Sequence, residues 1–169
     1  MTKVSVICHG NIARSQILHH YLAHYADEAS IRLDLFSCGT APVDAFPDVE
    51  RMLSDVRSEL KRRGLNVTVE RNTLDEEARQ RLEGSDLILV ADSERKGEVL
   101  SRFANRIDPE RIRLFYEFIG EGQRDFVDTY DADSSAQDPV RFARCFDELE
   151  RIARLAVDQI GRVRTQPPR

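Results

Sequence analysis

The stretch Val4–Ser15, VSVICHGNIARS, restricts the possible folds more than any other part of the chain. Lys3–Ile7 is a short apolar run with β-branched residues and predicts a buried strand. Cys8-His9-Gly10-Asn11-Ile12-Ala13-Arg14 then sets a cysteine and an arginine with five residues between them. From Ser15 the pattern turns helical, with Ile17, Leu18, Tyr21, Leu22 and Tyr25 along one stripe. Strand, tight loop and helix start, in that order, make an anion cradle: successive backbone N–H groups point inward and the helix dipole favours negative charge. The same field favours the thiolate form of a cysteine that opens the loop. An arginine that closes it can hold two oxygens of a tetrahedral oxyanion in a bidentate fork. The bland alternative is a buried cysteine followed by a Gly-Asn turn. The strand before the loop and the helix after it favour a thiol nucleophile aimed at a phosphate.

Beyond this stretch, strands alternate with helices. Arg32–Phe36 predicts a second strand, followed by Ser37-Cys38-Gly39-Thr40 and a loop punctuated by Pro42 and Pro47. Val49, Met52, Leu53, Val56 and Leu60 fall at helical spacing, with Gly64 as the stop. Asn66–Val69 reads as a short extended piece, and Thr73 with Glu76 as a capping box opening a helix that ends at Gly84. Asp86–Val90 is apolar almost throughout, as a strand covered on both faces requires. Asp92 or Ser93 caps the next helix, Arg111–Phe115 is an edge strand, and Glu117–Gln137 is a long acidic loop of the kind that carries function. Phe142, Cys145, Phe146, Leu149, Ile152, Ala153, Ala156 and Ile160 form the apolar face of a last helix. The expectation is an α/β fold, a doubly wound parallel sheet with helices on both faces and right-handed crossovers. Residues 1–161 form one domain, and 162–169 are expected to be a disordered tail.

Composition narrows the function. A net charge of −5 argues against broad nucleic-acid binding. No apolar run approaches the roughly 18 residues of a membrane span, and no signal peptide is evident. Three cysteines, an odd number without paired spacing, fit a reducing cytoplasm. His20 and His24 share a helix face and read as solvated, while Cys145 reads as core.

Cys8, Gly10, Asn11, Arg14 and Ser15 match the loop Cys-x-Gly-Asn-x-Cys-Arg-Ser of the low-molecular-weight protein tyrosine phosphatases. Ser37-Cys38-Gly39-Thr40, Ser85–Val90 and Asp138-Pro139 also resemble stretches of that family, so the resemblance covers nearly the whole chain. It implies a four-stranded sheet of order 2-1-3-4 and hydrolysis of protein tyrosine phosphate through a phosphocysteine intermediate, without metal or cofactor. Cys8 would be the nucleophile and Arg14 the clamp. Backbone N–H groups from His9, Gly10, Asn11, Ile12 and Ala13 to Ser15 would complete the cradle. Asn11 would adopt a left-handed conformation and pin the loop. Ser15 Oγ would hydrogen-bond the sulfur, although a serine there is also ordinary helix-start chemistry. Phe46 would supply an aromatic wall. The resemblance makes Asp138 the acid that protonates the leaving oxygen. Asp followed by Pro is also good helix-start chemistry, and Asp125, Asp128, Asp131 and Asp133 are rivals. The expected partner is a phosphotyrosyl protein, a tyrosine kinase among the candidates.

The chain departs from the family in three places. Ala13 replaces a second loop cysteine, Val140-Arg141 replaces tyrosines after Asp-Pro, and no histidine lies near Val67–Arg71 to brace the loop. Phosphoarginine phosphatases share this loop but tend to carry Thr where this chain has Ile12, and Ile12 favours a flat aromatic ester. Thioredoxin-coupled arsenate reductases need further cysteines after the middle strand, and none lies between Cys38 and Cys145. Cysteine phosphocarriers lack the loop arginine. Protein phosphoarginine phosphatase activity and a non-catalytic phosphotyrosine-binding module of the same fold are the alternatives that remain.

Overall fold

The computed structural model describes residues 1–68, 70–127 and 138–165. Four strands, β1 (Thr2–Cys8), β2 (Leu33–Gly39), β3 (Leu87–Val90) and β4 (Ile112–Leu114), form one sheet of order β2-β1-β3-β4. Every pairing is parallel, with Ile7 beside Cys38 and Val90, and Cys8 beside Gly39. The expected sheet and strand order are both present.

The helices are α1 (Arg14–Glu28), α2 (Val49–Arg62), α3 (Glu76–Glu83), α4 (Ser93–Arg102), α5 (Phe115–Phe118) and α6 (Pro139–Thr165). Strand alternation sorts the core into two layers. Val4, Val6, Cys8, Leu87 and Leu89 face one side with residues of α1, α2 and α6. Ile7, Cys38, Ile88, Val90, Ile112 and Leu114 face the other with α3 and α4. Both faces are covered, which explains why β3 is apolar at every position. The order turns between β1 and β3, so the crevice beyond their carboxyl ends is where such a sheet binds ligands. Cys8 lies at that end of β1.

Several local expectations need correction. Asp75, not Thr73, caps α3, its side chain accepting from Ala78 N at 2.8 Å. The fourth strand stops at Leu114, because Glu117 reaches back to Leu114 N at 3.0 Å and turns Phe115–Phe118 into a helix. The acidic loop therefore begins later than expected, and Asp128, Asp131 and Asp133 lie outside the described residues, as does Val69. Asn66–Thr68, read as a short extended piece, belongs to no helix or strand, and just beyond it the chain meets β2 through a parallel bridge between Gly39 and Thr73. His20 is buried rather than solvated, its Nδ1 donating to Gln16 O at 2.6 Å, whereas His24 is exposed. The last helix runs through 162–165, into the segment expected to be a tail, and 166–169 lie outside the described residues. No described helix is long and apolar enough to cross a membrane.

Candidate active site

The loop between β1 and α1 is shaped by what holds its carbonyls. Thr40 N donates to Cys8 O at 3.2 Å, Ala41 N to His9 O at 2.9 Å, and Arg71 Nε to Gly10 O at 2.9 Å. In a trans peptide the C=O and N–H point opposite ways. Three successive carbonyls turned outward therefore turn the N–H groups of His9, Gly10 and Asn11 inward. The first turn of α1 follows directly, and a helix N-terminus favours an anion through its dipole.

Asn11 is the loop's central brace. Its φ is 52°, a left-handed conformation that asparagine tolerates, and it is wholly buried. Its Oδ1 accepts from Asn72 N at 2.8 Å and from Gln16 Nε2 at 3.1 Å. Its Nδ2 donates to Ser15 Oγ at 2.8 Å and to Ser37 Oγ at 3.1 Å. Ser15 Oγ stands 3.0 Å from Cys8 Sγ. Because Asn11 occupies a lone pair of that hydroxyl, the Ser15 proton is free to point at the sulfur. A directed chain results, from Asn11 amide to Ser15 hydroxyl to Cys8 sulfur.

Arg14 is 4% exposed, and its Nη1 donates to Asp92 Oδ2 at 2.6 Å and Phe126 O at 3.1 Å. Asp92 does two jobs: Oδ1 caps α4 by accepting from Arg95 N at 2.8 Å, while Oδ2 holds the guanidinium. Phe126 is fixed in turn, its N donating to Ala91 O at 2.8 Å. Beside it, the Asp125 carboxylate accepts from Ser93 N at 2.8 Å and Ser93 Oγ at 3.0 Å. Asp125 thus pins this segment, and both its oxygens are occupied.

Asp138 stands exposed at the head of α6, its Oδ1 accepting from Val140 N at 2.9 Å and Arg141 N at 3.3 Å. This is the capping role; among the described residues Oδ2 has no protein partner. Phe46 reaches the loop. Its ring meets that of His9 edge-on at 5.6 Å, and a Cβ on Gly10 would lie 2.8 Å from Phe46 Cε2 and 2.9 Å from Ile12 Cδ1. Phe46 and Ile12 therefore close over Gly10, with His9 against the Phe46 ring, and a side chain at Gly10 would have to push their tips aside. Ala13 is buried. Cys38 also is buried, on the opposite face of the sheet from Cys8, and burial above all pushes its thiol up to about 12, with Cys8 and Asp75 adding to the effect. Among the described residues, no cluster of three or more His, Cys, Asp or Glu side chains could hold a metal ion.

Sequence reasoning placed the loop residues and Phe46 together. It missed Asp92 as the partner of Arg14, and the supports Gln16, Arg71 and Asn72. Ser37 and Gly39 lay in a stretch already singled out, but only the fold shows that they touch the loop.

A family model described as low molecular weight phosphotyrosine protein phosphatase matches residues 3–165. A search of curated protein sequences returns no match. Among solved structures, a mutant of YwlE from Bacillus subtilis superposes with a TM-score of 0.77 at 19% identity, over 95% of this chain and 99% of that one. The YwlE arginine phosphatase from Geobacillus stearothermophilus gives 0.73 at 16% identity, over 100% of both chains. A low molecular weight protein tyrosine phosphatase from T. tengcongensis gives 0.71 at 21% identity, over 96% of this chain and 99% of that one. At these identities the likenesses concern the fold.

Proposed function

Because the chain belongs to the low molecular weight phosphotyrosine protein phosphatase family, whose members are cysteine-dependent phosphatases, we propose that Cys8 is its nucleophile, Arg14 its phosphate clamp and Asp138 its general acid. The Cys8 thiolate attacks phosphorus in line, forming an S–P bond as the bond to the leaving oxygen breaks. Asp138 gives its proton to that oxygen. Water then attacks the phosphocysteine, the Asp138 carboxylate takes a proton from it, and the S–P bond breaks to return the thiolate and release inorganic phosphate. Arg14 and the inward N–H groups stabilise the charge on the transferring group in both steps. The Ser15 hydroxyl stabilises the sulfur as it leaves.

The observation that carries this reading is the chain from Asn11 through Ser15 to Cys8, with Ser15 Oγ 3.0 Å from the sulfur inside a loop of inward N–H groups. It orients a nucleophile, which a mere binding module has no need to do. Ile12 and Phe46, packed on Gly10, support an aromatic ester as substrate, and a phosphotyrosyl protein is the proposed partner. Hydrolysis of phosphoarginine is the competing activity. Three unbridged cysteines favour work in a reducing cytoplasm.

The test compares kcat/KM on matched phosphotyrosyl and phosphoarginyl peptides, with para-nitrophenyl phosphate as the general reporter. Wild type should prefer the phosphotyrosyl peptide, and Cys8→Ser should lose turnover while still binding vanadate. Activity in Cys8→Ser, or activity lost to EDTA, would end the mechanism. Preference for phosphoarginine would overturn the substrate assignment alone.

A further inference from the structure

Arg71 springs from a fixed piece of backbone. Gly39 N donates to Asn72 O at 2.9 Å, Asn72 N to Asn11 Oδ1 at 2.8 Å, and Asn72 Nδ2 to Ser37 O at 3.0 Å. From there the half-buried guanidinium bridges two other segments. Nε donates to Gly10 O in the cradle at 2.9 Å, and Nη1 to Val43 O, in the loop that carries Phe46, at 3.1 Å. Nη2 is buried without a hydrogen-bond partner.

The two arginines of the site differ in their counter-charges. Arg14 sits 2.6 Å from the Asp92 carboxylate. Among the described residues Arg71 meets no carboxylate, only carbonyl oxygens. Carbonyl dipoles solvate a cation but leave its net charge in place. An anion held by the Asn11 N–H would lie on the far side of the Gly10–Asn11 peptide, roughly 7–8 Å from the guanidinium by peptide and hydrogen-bond dimensions. At that range in a partly buried site, one pair of unit charges alters affinity by about tenfold to hundredfold.

We propose that Arg71 is a positioning residue of the phosphate cradle that supplies its uncompensated positive charge. It holds the Gly10 carbonyl outward, so that the Asn11 N–H stays inward, and polarises that peptide. Its second bond ties the Phe46 loop to the same peptide, so the wall and the cradle move as one piece. The proposal rests on the reading of the loop as a phosphate site.

The test uses the full chain, vanadate as the probe, and para-nitrophenyl phosphate kinetics, all well below the melting temperature. Arg71→Met should weaken vanadate binding about tenfold to hundredfold and raise KM. Arg71→Gln, which keeps a neutral donor for Gly10 O and guards against a folding defect in the Met variant, should still bind at least about fivefold more weakly than wild type. Arg71→Lys, restoring charge, should recover most of the affinity. Either neutral variant binding vanadate within about twofold of an active wild type overturns the proposal, whatever happens to its melting temperature. A wild type that neither binds vanadate nor turns over substrate brings down the cradle reading, and the role of Arg71 with it.

Discussion

Gly39→Ala is a one-methyl perturbation aimed at the cradle from behind. Gly39 ends β2 beside Cys8, and an added Cβ would lie 2.6 Å from both His9 O and Gly10 C, and 2.7 Å from Asn11 N. All three are backbone atoms, so no side chain can swing aside. Ordinary contact for a Cβ begins near 3.4 Å, so the loop and strand must part by roughly 0.8 Å. The strand cannot easily retreat, since Gly39 N is bonded to Asn72 O at 2.9 Å, and the next two residues hold Cys8 O and His9 O. The displacement therefore falls on the inward N–H groups. Overpacking of this kind costs about 1–3 kcal/mol, which for a chain of this size lowers the melting temperature by roughly 2–12 °C. A misplacement near 1 Å at reacting groups costs about a hundredfold in rate. Gly39→Ala should thus remain folded at 25 °C yet lose about two orders of magnitude in kcat/KM on para-nitrophenyl phosphate, with weaker vanadate inhibition. Gly97→Ala is the control: it lies in α4 with nothing within 4 Å of its added Cβ. It should leave activity unchanged and stabilise the helix by up to about 1 kcal/mol. A folded Gly39→Ala protein with kcat/KM within about threefold of wild type would refute the claim that the cradle is held rigid from β2.

Three further expectations concern acid, pH and oxidation. Asp138→Ala should slow aryl phosphates with poor leaving groups by about 10²- to 10⁴-fold more than para-nitrophenyl phosphate; an equal small loss on all of them would leave Asp138 a helix cap alone. Burial, with His20 adding to it, lowers His19 from 6.5 to about 4, so between those values the unfolded chain holds a proton that the folded chain does not. Stability is therefore full above about pH 6.5 and falls as the pH drops towards 4, by on the order of 3 kcal/mol. Urea unfolding at pH 7.5 and 5 should show that slope reduced in His19→Gln, and an unchanged slope would contradict it. Peroxide should drive Cys8 to sulfinic acid with poor recovery in dithiothreitol, because Ala13 offers no thiol and Cys38 faces the other side of the sheet. Ala13→Cys should restore reversibility, and a Cys8–Cys38 bridge found by mass spectrometry would disprove the reasoning.

What the sequence revealed, and what it concealed, follows from chain distance. The strand, loop and first helix were readable because their signals are local: apolar runs, a Gly-Asn reversal, helical spacing. Val56, Leu60, Phe146 and Leu149 were readable as core for the same reason, and all four are buried. Asp92 could be read as a cap, since a cap concerns its own helix, but its grip on Arg14 joins residues 78 apart in sequence. Arg71 and Asn72 each reach the loop across 61 residues, and no periodicity records such a contact. His20 was misread for another reason. Arg14 through Leu22 is buried without a break, because α1 lies between the sheet and α6. An argument from one apolar stripe fails on a helix covered on both sides.

The placement of β1 also has a consequence for how the protein is made. Its residues pair on one side with β2, and on the other with β3, where Val4 meets Leu87. At translation speeds of about 5–20 residues per second, that second edge stays bare for several seconds after β1 leaves the ribosome. Over the same interval Arg14 is without Asp92 and the carbonyl of Phe126, and α1 waits longer still for α6 to cover it. The cradle is thus the first part of the machinery to be synthesised and the last to be assembled. A nascent chain already carrying the entire Cys8–Ser15 sequence should be enzymatically silent, with an unpaired strand edge for chaperones to shield until β3 pairs with it, and an uncovered α1 until α6 docks.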